Sequence, residues 1–210
     1  MPFMEMKKQY RSIKYNFIKG GLKNIYFKIC IKFREAIFIQ EELLIYQYAS
    51  LDNFRFTADK ELDVRELRFD ELVTLGYEKA IYYPEAILER FKNREKCYGV
   101  FYGDLVAHIA WVTRGYLHCS LRFPNILYKD SAGIYDCITI PSFRRQGIYQ
   151  YMLGYLLATY LVDSKYVYIA VHPLNKPSIR GIKRVGFSKL QRIVFTRVLF
   201  FRKLKSYILD

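Results

Sequence analysis

The segment Tyr135–Tyr149, with the sequence YDCITIPSFRRQGIY, combines the residue types that bind an anion at the start of a helix. An apolar run that ends at Pro141 predicts a strand, and the pattern after Gly147 predicts a helix. The first turn of a helix leaves backbone N–H groups unpaired and carries a partial positive charge. Arg144 and Arg145 add charge, and a glycine lets a ligand approach the backbone. We therefore expect the amides of residues 145–149 to hold a phosphate or pyrophosphate.

This segment lacks the fixed signatures of the common phosphate loops. No Gly-Lys-Ser/Thr run follows, as a Walker loop requires, and the glycines do not follow the GxGxxG spacing. A plain strand-to-helix turn with surface arginines is the alternative interpretation.

Few side chains near this segment offer proton transfer. Asp136 lies on the strand and could serve as a general base, directly or through water; the alternative is a salt-bridged or exposed strand residue. His172 ends the next strand and could reach the same cleft, or it is structural. His108, in the apolar run AHIAW, is expected to be a buried core histidine, and Cys137 to pack in the core.

The sequence contains no recognisable pattern for other catalytic arrangements or for a metal site. No Ser/His/Asp or Cys/His arrangement is evident, and no spacing of Cys, His and carboxylates suggests a metal site. His118 lies in a loop without an identifiable partner.

Hydrophobic periodicity and turn residues predict the elements that would position these groups. Residues 115–133 are expected to be irregular and to form a wall of the substrate site or an ordinary surface loop. The order of elements predicts a mixed α/β sheet that is parallel in part. The strands are expected at Leu43–Tyr48, Leu62–Leu67, on both sides of Gly103-Asp104, and at Ile134–Ile140, Tyr166–Val171 and Leu190–Phe201. The helices are expected near Asp70, from Pro84, from Gly147, and over Asn175–Arg184, with Gly186 as a left-handed cap.

Charge divides the chain into a neutral middle and two basic ends. The formal net charge is +14. Residues 1–40 hold nine Lys or Arg and two acids, a net charge of +7, and residues 180–210 hold nine Lys or Arg and one acid, a net charge of +8. Residues 41–179 between them hold sixteen Lys or Arg and seventeen acids, a net charge of −1. Such ends attract polyanions, either nucleic acid or an anionic membrane face.

The N-terminal basic region has the pattern of an amphipathic helix. Ile18, Leu22, Ile25, Ile29 and Phe33 follow helical spacing, and lysines flank that face. A basic helix with an apolar face suits a membrane surface, whereas nucleic-acid readers more often use Arg, Asn and Gln. The alternative is a helix that packs on the domain with solvated lysines. We place the basic extension at residues 1–48 and the main domain at 49–210.

Cysteine usage and hydropathy suggest a reducing, intracellular location. The four cysteines show no CxxC spacing, so neither a disulfide framework nor a structural zinc site is expected. The basic start lacks an apolar h-region, so we expect no signal peptide. The uncharged run Gln146–Val162 is expected to be a buried helix, because its apolar residues repeat at helical spacing. We expect a cytoplasmic protein, with residues 1–40 as a candidate attachment to the inner membrane face.

Two ordered motifs together resemble the GCN5-related N-acetyltransferase (GNAT) superfamily. The family's cofactor loop, Arg/Gln-x-x-Gly-x-Gly/Ala after a strand and a proline, is matched by Arg144-Arg145-Gln146-Gly147-Ile148-Tyr149. The downstream pattern of Asn, a small residue and a closing Gly-Phe pair is matched by Asn175, Ser178 and Gly186-Phe187. The resemblance covers about residues 62–200 and implies a GNAT-like acyl-CoA N-acyltransferase fold.

The resemblance also implies roles for these positions. Acetyl-CoA, or another acyl-CoA, would be the co-substrate, without a metal, and its pantetheine arm would pair with the backbone of Ile138 and Ile140. The loop from Arg144 through Arg145, Gln146, Gly147 and Ile148 to Tyr149 would hold the pyrophosphate, and Asn175 would hydrogen-bond the pantetheine. An amine would attack the thioester directly, with Asp136 or His172 as the candidate base and a strand N–H stabilising the oxyanion.

Two departures from the family pattern bear on activity. Tyr149 stands where Gly or Ala is usual, and Ile182 occupies the slot where the family often has a tyrosine as general acid. Gly181, beside it, is also unusual. A non-catalytic module that binds CoA or a partner, and a basic nucleic-acid-binding protein, are the alternative functions. A weaker resemblance to transferases of bacterial surface-polysaccharide synthesis implies an amino sugar on a lipid-linked precursor as the acceptor.

Overall fold

The computed structural model describes residues 38–49, 62–75, 84–119, 125–198 and 201–208. Within these ranges the chain forms eight strands, four α-helices and one 3-10 turn at Pro141–Phe143. The strands are β1 (Phe38–Tyr48), β2 (Asp63–Leu67), β3 (Lys96–Tyr102), β4 (Leu105–Leu117), β5 (Ile126–Thr139), β6 (Tyr166–Val171), β7 (Ser188–Val198) and β8 (Phe201–Ile208). The helices are α1 (Phe69–Thr74), α2 (Pro84–Lys92), α3 (Ile148–Tyr160) and α4 (Lys176–Val185).

The strands form one mixed sheet in the order β2-β3-β4-β5-β6-β1-β7-β8. Strands β5 and β6 run parallel, while β2/β3, β3/β4, β4/β5 and β1/β6 are antiparallel pairs. The chain divides into two compact units, residues 42–193 with 206–210, and residues 1–41 with 194–205. All elements that carry the candidate site lie in the first of these units. The predicted mixed α/β sheet is confirmed.

Each face of the sheet is covered by its own pair of helices. Neighbouring residues on β3, Cys97 and Tyr98, belong to different cores, because successive side chains of a strand point to opposite faces. Helices α3 and α4 contribute to the core of Tyr98, whereas α1 and α2 contribute to the core of Cys97. The uncharged run is indeed the buried helix α3, and within the described residues no helix is long and apolar enough to cross a membrane.

The described parts of the predicted irregular segment 115–133 are mostly strand, and residues 120–124 lie outside the described residues. Strand β4 continues to Leu117 and β5 begins at Ile126, and the two pair as Tyr116 with Leu127 and Leu117 with Ile126. Gly115 has φ +77°, and the pairing register shifts between Arg114 and Tyr116. A glycine with a positive φ often marks the end of a strand, but Gly115 lies inside β4, at the point where the pairing with β5 changes register.

The remaining predicted elements show smaller differences. The helices expected from Pro84, Gly147 and Asn175 are confirmed, but the last predicted strand is in fact two, β7 and β8. Strand β1, which lies within the predicted N-terminal extension, pairs with β6 through Leu44–Tyr48. The predicted amphipathic helix within residues 1–37 lies outside the described residues.

Candidate active site

A gap opens in the sheet between the ends of β5 and β6. The two strands pair only at Ser131–Ile134 on β5 and Tyr166–Ile169 on β6. Beyond that point β5 follows β4, with Thr139 opposite His108, while β6 follows β1, with Val171 opposite Leu44. The diverging strands therefore leave backbone edges facing a space between them.

A bulge on β5 begins where the gap opens. Between the pairs Trp111–Tyr135 and Ile109–Ile138, β5 contains one residue more than β4. Asp136, within this interval, has φ +46°, a left-handed conformation that Asp tolerates better than most residues. Because a bulge bends its strand and increases the local twist, it accounts for the departure of β5 from β6.

The backbone of Ile138 and Ile140 faces β4 and not the gap. The Ile140 N–H donates to the Ala107 carbonyl at 3.0 Å. Since alternate residues of an antiparallel strand bond to the same side, Ile138 also faces β4. The prediction that these two residues pair with pantetheine therefore selected the wrong alternate positions. Thr139, between them, turns its backbone toward the gap, and its carbonyl accepts a bond from the Arg144 Nε at 3.2 Å.

The loop after β5 leads directly into α3 with two left-handed residues. Arg145 has φ +66° and Gly147 has φ +79°. The Gln146 side chain stabilises the turn, since its Nε2 donates to the Ser142 carbonyl at 3.2 Å. Helix α3 begins at Ile148, with Gly147 as an N-cap that provides no side-chain hydrogen bond.

The start of α3 has the properties of an anion site. Among the described residues, no N-cap side chain bonds its first amides, those of residues 148–150. A β-carbon added at Gly147 would meet nothing within 4 Å, so the space above the loop is open. Arg145 is exposed at the same loop. These features match the predicted pyrophosphate site, and a diphosphate would satisfy amides that no N-cap side chain bonds.

Tyr149, the second residue of α3, lies between β4 and α4. Its ring centroid is 5.7 Å from that of His108, and a β-carbon on Gly181 would come 2.8 Å from a ring carbon of Tyr149. Burial, and to a smaller extent the Cys137 thiol, raises the pKa of the Tyr149 hydroxyl well above its ordinary value. The two unusual residues of the sequence, Tyr149 and Gly181, are therefore packed against each other.

His108 and Cys137 form the wall of this face of β4 and β5. His108 is fully buried, its Nδ1 lies 2.7 Å from the Thr139 hydroxyl, and burial lowers its pKa to about 3. Burial raises the pKa of the Cys137 thiol. Both side chains are therefore uncharged near neutral pH, in agreement with the predicted core roles.

The opposite face of the bulge carries an ion pair. A nitrogen of Arg90 on α2 lies 2.7 Å from the Asp136 carboxylate, and the side chains are 9% and 28% exposed. The Arg90 guanidinium also lies 4.9 Å from the ring centroids of Trp111 and Tyr135. The salt-bridged interpretation of Asp136 is thus correct, and the same contact orients its carboxylate at the start of the gap.

A buried carboxylate beside this ion pair was missed by sequence reasoning. Glu95 accepts hydrogen bonds from the Tyr116 hydroxyl at 2.6 Å and from the Tyr135 hydroxyl. Burial is the main cause that raises the pKa of both tyrosines, and Glu95 adds to it. Glu95 precedes β3 and gives no local signal, because only the antiparallel pairing of β3, β4 and β5 brings it to these residues.

His172 and Asn175 lie at the end of β6, where local backbone contacts occupy them. The His172 side chain is exposed, and its Nδ1 accepts from the Leu174 N–H at 3.2 Å. The Asn175 Oδ1 accepts from the Ser178 N–H at 3.3 Å and so caps α4. The structure does not bring either side chain into contact with Asp136.

His118 has a partner that its position in the sequence does not reveal. Its Nδ1 lies 3.0 Å from the Asn125 side-chain oxygen, and its ring centroid is 4.8 Å from that of Tyr135. Among the residues that the structure describes, no group of three or more Cys, His, Asp or Glu could hold a metal ion.

Comparisons with known proteins point to the same elements. Residues 62–187 match the sequence profile of the acetyltransferase (GNAT) family. No curated protein matches the chain. An acetyltransferase of the GNAT family from Colwellia psychrerythraea is similar in structure, with a TM-score of 0.55 and 18% identity over 84% of this chain and 61% of that one. A GCN5-related N-acetyltransferase from Sphaerobacter thermophilus is also similar, with a TM-score of 0.56 and 12% identity over 82% of this chain and 56% of that one. The chain therefore spans less than two thirds of either structure.

Proposed function

Because the chain belongs to the acetyltransferase (GNAT) family, we propose that it is an acyl-CoA-dependent N-acyltransferase that moves an acetyl group from acetyl-CoA to an amine. The observation that carries the proposal is the gap between β5 and β6, which ends at the uncapped amides of α3. The gap offers backbone edges to an extended arm that contains amides, and the first turn of α3 offers N–H groups to a diphosphate. Coenzyme A contains both groups in that order.

Each part of the donor is assigned to a part of this site. The pyrophosphate binds to the amides of residues 148–150 and to Arg145, and the pantetheine arm lies in the gap beside the Thr139 backbone. The thioester then lies toward the bulge at Asp136. The amine nitrogen attacks the thioester carbonyl, and a β5 N–H that faces the gap stabilises the oxyanion.

The acceptor approaches from the face that carries Asp136. The Arg90 contact holds this carboxylate in one orientation, so Asp136 is the stronger candidate to take the proton of the amine. His172 is the weaker candidate, because its Nδ1 already accepts from the backbone of Leu174.

We also propose that the enzyme works at the inner face of a membrane, on an amino sugar of a lipid-linked precursor. The support is the charge of residues 1–40, nine Lys or Arg against two acids, together with the apolar helical pattern between them. An acceptor held at the membrane surface would then meet an enzyme held at the same surface.

Calorimetric titration of the full chain with acetyl-CoA, followed by thiol release with a panel of amines that includes amino sugars, tests the assignment. Saturable binding and amine-dependent thiol release are expected. Binding without turnover with any amine would favour the alternative of a non-catalytic CoA-binding module, which the apolar and fully buried Ile182 supports. Absence of binding would reject both.

A further inference from the structure

The end of strand β4 folds back across β5. A β-carbon added at Gly133 on β5 would lie 2.5 Å from the Tyr116 carbonyl oxygen and 3.0 Å from the Leu117 α-carbon, so the two backbones are in direct contact there. Gly133 and Tyr135 lie on the same face of β5, since alternate residues of a strand share a face. The end of β4 therefore lies over the face of the sheet that carries the Tyr135 ring.

This folded end of the β4–β5 hairpin borders the closed end of the gap. Tyr128, near the start of β5, stacks on Tyr168 of β6 with ring centroids 4.0 Å apart. Tyr168 is also the residue that pairs with Gly133, and β5 and β6 separate one residue later, after Ile134 and Ile169. The hairpin thus covers both strands at the point from which the gap opens, so its side chains border the site on this face.

His118, which follows β4, is the polar side chain that this arrangement brings beside the candidate base. Its ring centroid lies 4.8 Å from that of Tyr135. The Arg90 guanidinium, which holds the Asp136 carboxylate at 2.7 Å, lies 4.9 Å from the same Tyr135 ring. The imidazole and the ion pair therefore border one ring, and Asp136 follows that ring directly in the chain.

The contact with Asn125 determines which nitrogen of His118 is available to a ligand. The His118 Nδ1 lies 3.0 Å from the Asn125 side-chain oxygen, and an amide oxygen can only accept. In the neutral ring Nδ1 therefore carries the hydrogen, and Nε2 is a hydrogen-bond acceptor. The described residues provide Nε2 with no hydrogen-bond partner, and the side chain is half-buried, so part of the ring is open to a ligand.

We propose that the His118 Nε2 accepts a hydrogen bond from a hydroxyl group of the acceptor, and that this contact sets the amine nitrogen beside Asp136. The inference rests on the proposed acyl transfer and adds the class of amine, namely a ring that carries hydroxyl groups, as an amino sugar does, and not a plain alkyl amine. His118 exchanges no proton with the acceptor. It selects and orients the acceptor, because an amine without the hydroxyl leaves Nε2 unpaired.

Two acceptors of the same ring size test the contact. One is the amino sugar that releases thiol from acetyl-CoA fastest, and the other is cyclohexylamine, which has no hydroxyl. The measured quantity is the ratio of their kcat/KM values. His118→Phe keeps an aromatic ring against Tyr135 but has no acceptor, so it should lower this ratio about tenfold, the effect of one neutral hydrogen bond, and mainly through the KM of the amino sugar. A purely structural defect would lower both kcat/KM values and leave their ratio unchanged.

Three further variants make the test specific. His118→Gln retains an amide oxygen that can accept, so its ratio should stay within about threefold of the wild-type value. Asn125→Leu removes the group that orients the imidazole and should lower the ratio. Leu127→Ala changes a side chain on the same hairpin that is 82% exposed and should keep the ratio. Equal falls in His118→Phe and Leu127→Ala would overturn the inference.

Nitrogen NMR of the full chain with ¹⁵N-labelled imidazoles gives a readout that does not depend on turnover. The chain has three histidines, and the Nε2 signal of His118 is the one missing in His118→Gln. With CoA present, the amino sugar should shift this signal in the direction of a hydrogen-bonded nitrogen, and cyclohexylamine should not.

Failure of the inference and failure of the proposed function are distinguishable. An unchanged ratio in His118→Phe, an unmoved Nε2 signal, or turnover of cyclohexylamine without turnover of any amino sugar would overturn the inference while the acyltransferase assignment stands. A wild-type chain that releases thiol with no amine would reject the proposed function and the inference together.

Discussion

Tyr149 and Gly181 are in contact so close that a β-carbon on Gly181 would lie 2.8 and 2.9 Å from two carbons of the Tyr149 ring. Real β-carbons do not approach other atoms to this distance, so the Tyr149 ring can occupy its position only because residue 181 is a glycine. The pair joins the first turn of α3 to α4, and it makes two departures from the family pattern a single structural feature.

The contact predicts the stability of Gly181→Ala. Alanine is worth about 1 kcal/mol more than glycine inside a helix, but overpacking against the ring costs about 1–3 kcal/mol, so a net loss of up to about 2 kcal/mol is expected. Urea unfolding measures it. In a Tyr149→Ala background the same substitution should stabilise the chain, because the ring is gone. If Gly181→Ala stabilises the wild-type chain, the Tyr149 ring does not restrict the space for a β-carbon at residue 181.

Gly147 should be needed for binding of the donor. Gly147→Ala places a methyl group at a φ of +79° and toward the open space above the α3 amides, so we expect at least a tenfold weaker affinity for acetyl-CoA by calorimetry. Gly103→Ala is the matched control, with φ +59° and an equally open surrounding in the turn between β3 and β4. Both should lose about 1–2 kcal/mol of stability, and an equal loss of affinity in both would contradict the assignment.

Arg90 should contribute strongly to folding. Arg90→Met removes a nearly buried partner of Asp136 and two ring contacts, and we expect the free energy of unfolding to fall by about 2–3 kcal/mol. Lys92→Met, on the same helix, removes only an exposed pair with Glu89 and should cost less than about 1 kcal/mol. Equal values for the two variants in urea would refute a structural role for the buried pair.

His108 should make stability depend on pH above the range in which carboxylates titrate. Its pKa is 6.5 when exposed and about 3 in the folded chain, so the unfolded chain binds one more proton between these values. Stability is therefore fully present above about pH 6.5 and falls as the pH decreases, by up to about 1.4 kcal/mol per unit. Unfolding at pH 7, 6 and 5 should show this slope in the wild type and a smaller one in His108→Gln, whatever the stability of the variant at pH 7.

Membrane attachment should depend on the N-terminal charges. Replacing Lys19, Lys23, Lys28 and Lys32 with Gln should weaken co-sedimentation with vesicles of anionic lipid by at least 100-fold, at about 1 kcal/mol for each lysine near the surface. The control replaces Lys183, Lys189, Lys203 and Lys205, which changes the net charge equally. If both variants lose binding to the same degree, residues 1–40 have no special role.

Local sequence determined the order of elements and the two motifs. Pro141, Gly147, Asn175 and Gly186 act within a few residues, through restricted dihedral angles and helix capping, and each occupies the position that the sequence predicts. For the same reason these two short motifs are enough to carry the resemblance to the GNAT family.

Only the tertiary structure decided how the strand edges and side chains are used. The bulge at Asp136 sets which backbone groups face the gap, so Thr139 replaces Ile138 and Ile140 in that role. Packing of distant segments produced the other relationships, namely those of Arg90 with Asp136, Glu95 with Tyr116 and Tyr135, and Tyr149 with Gly181. Such contacts depend on register and on close packing between elements, which no local pattern in the chain records.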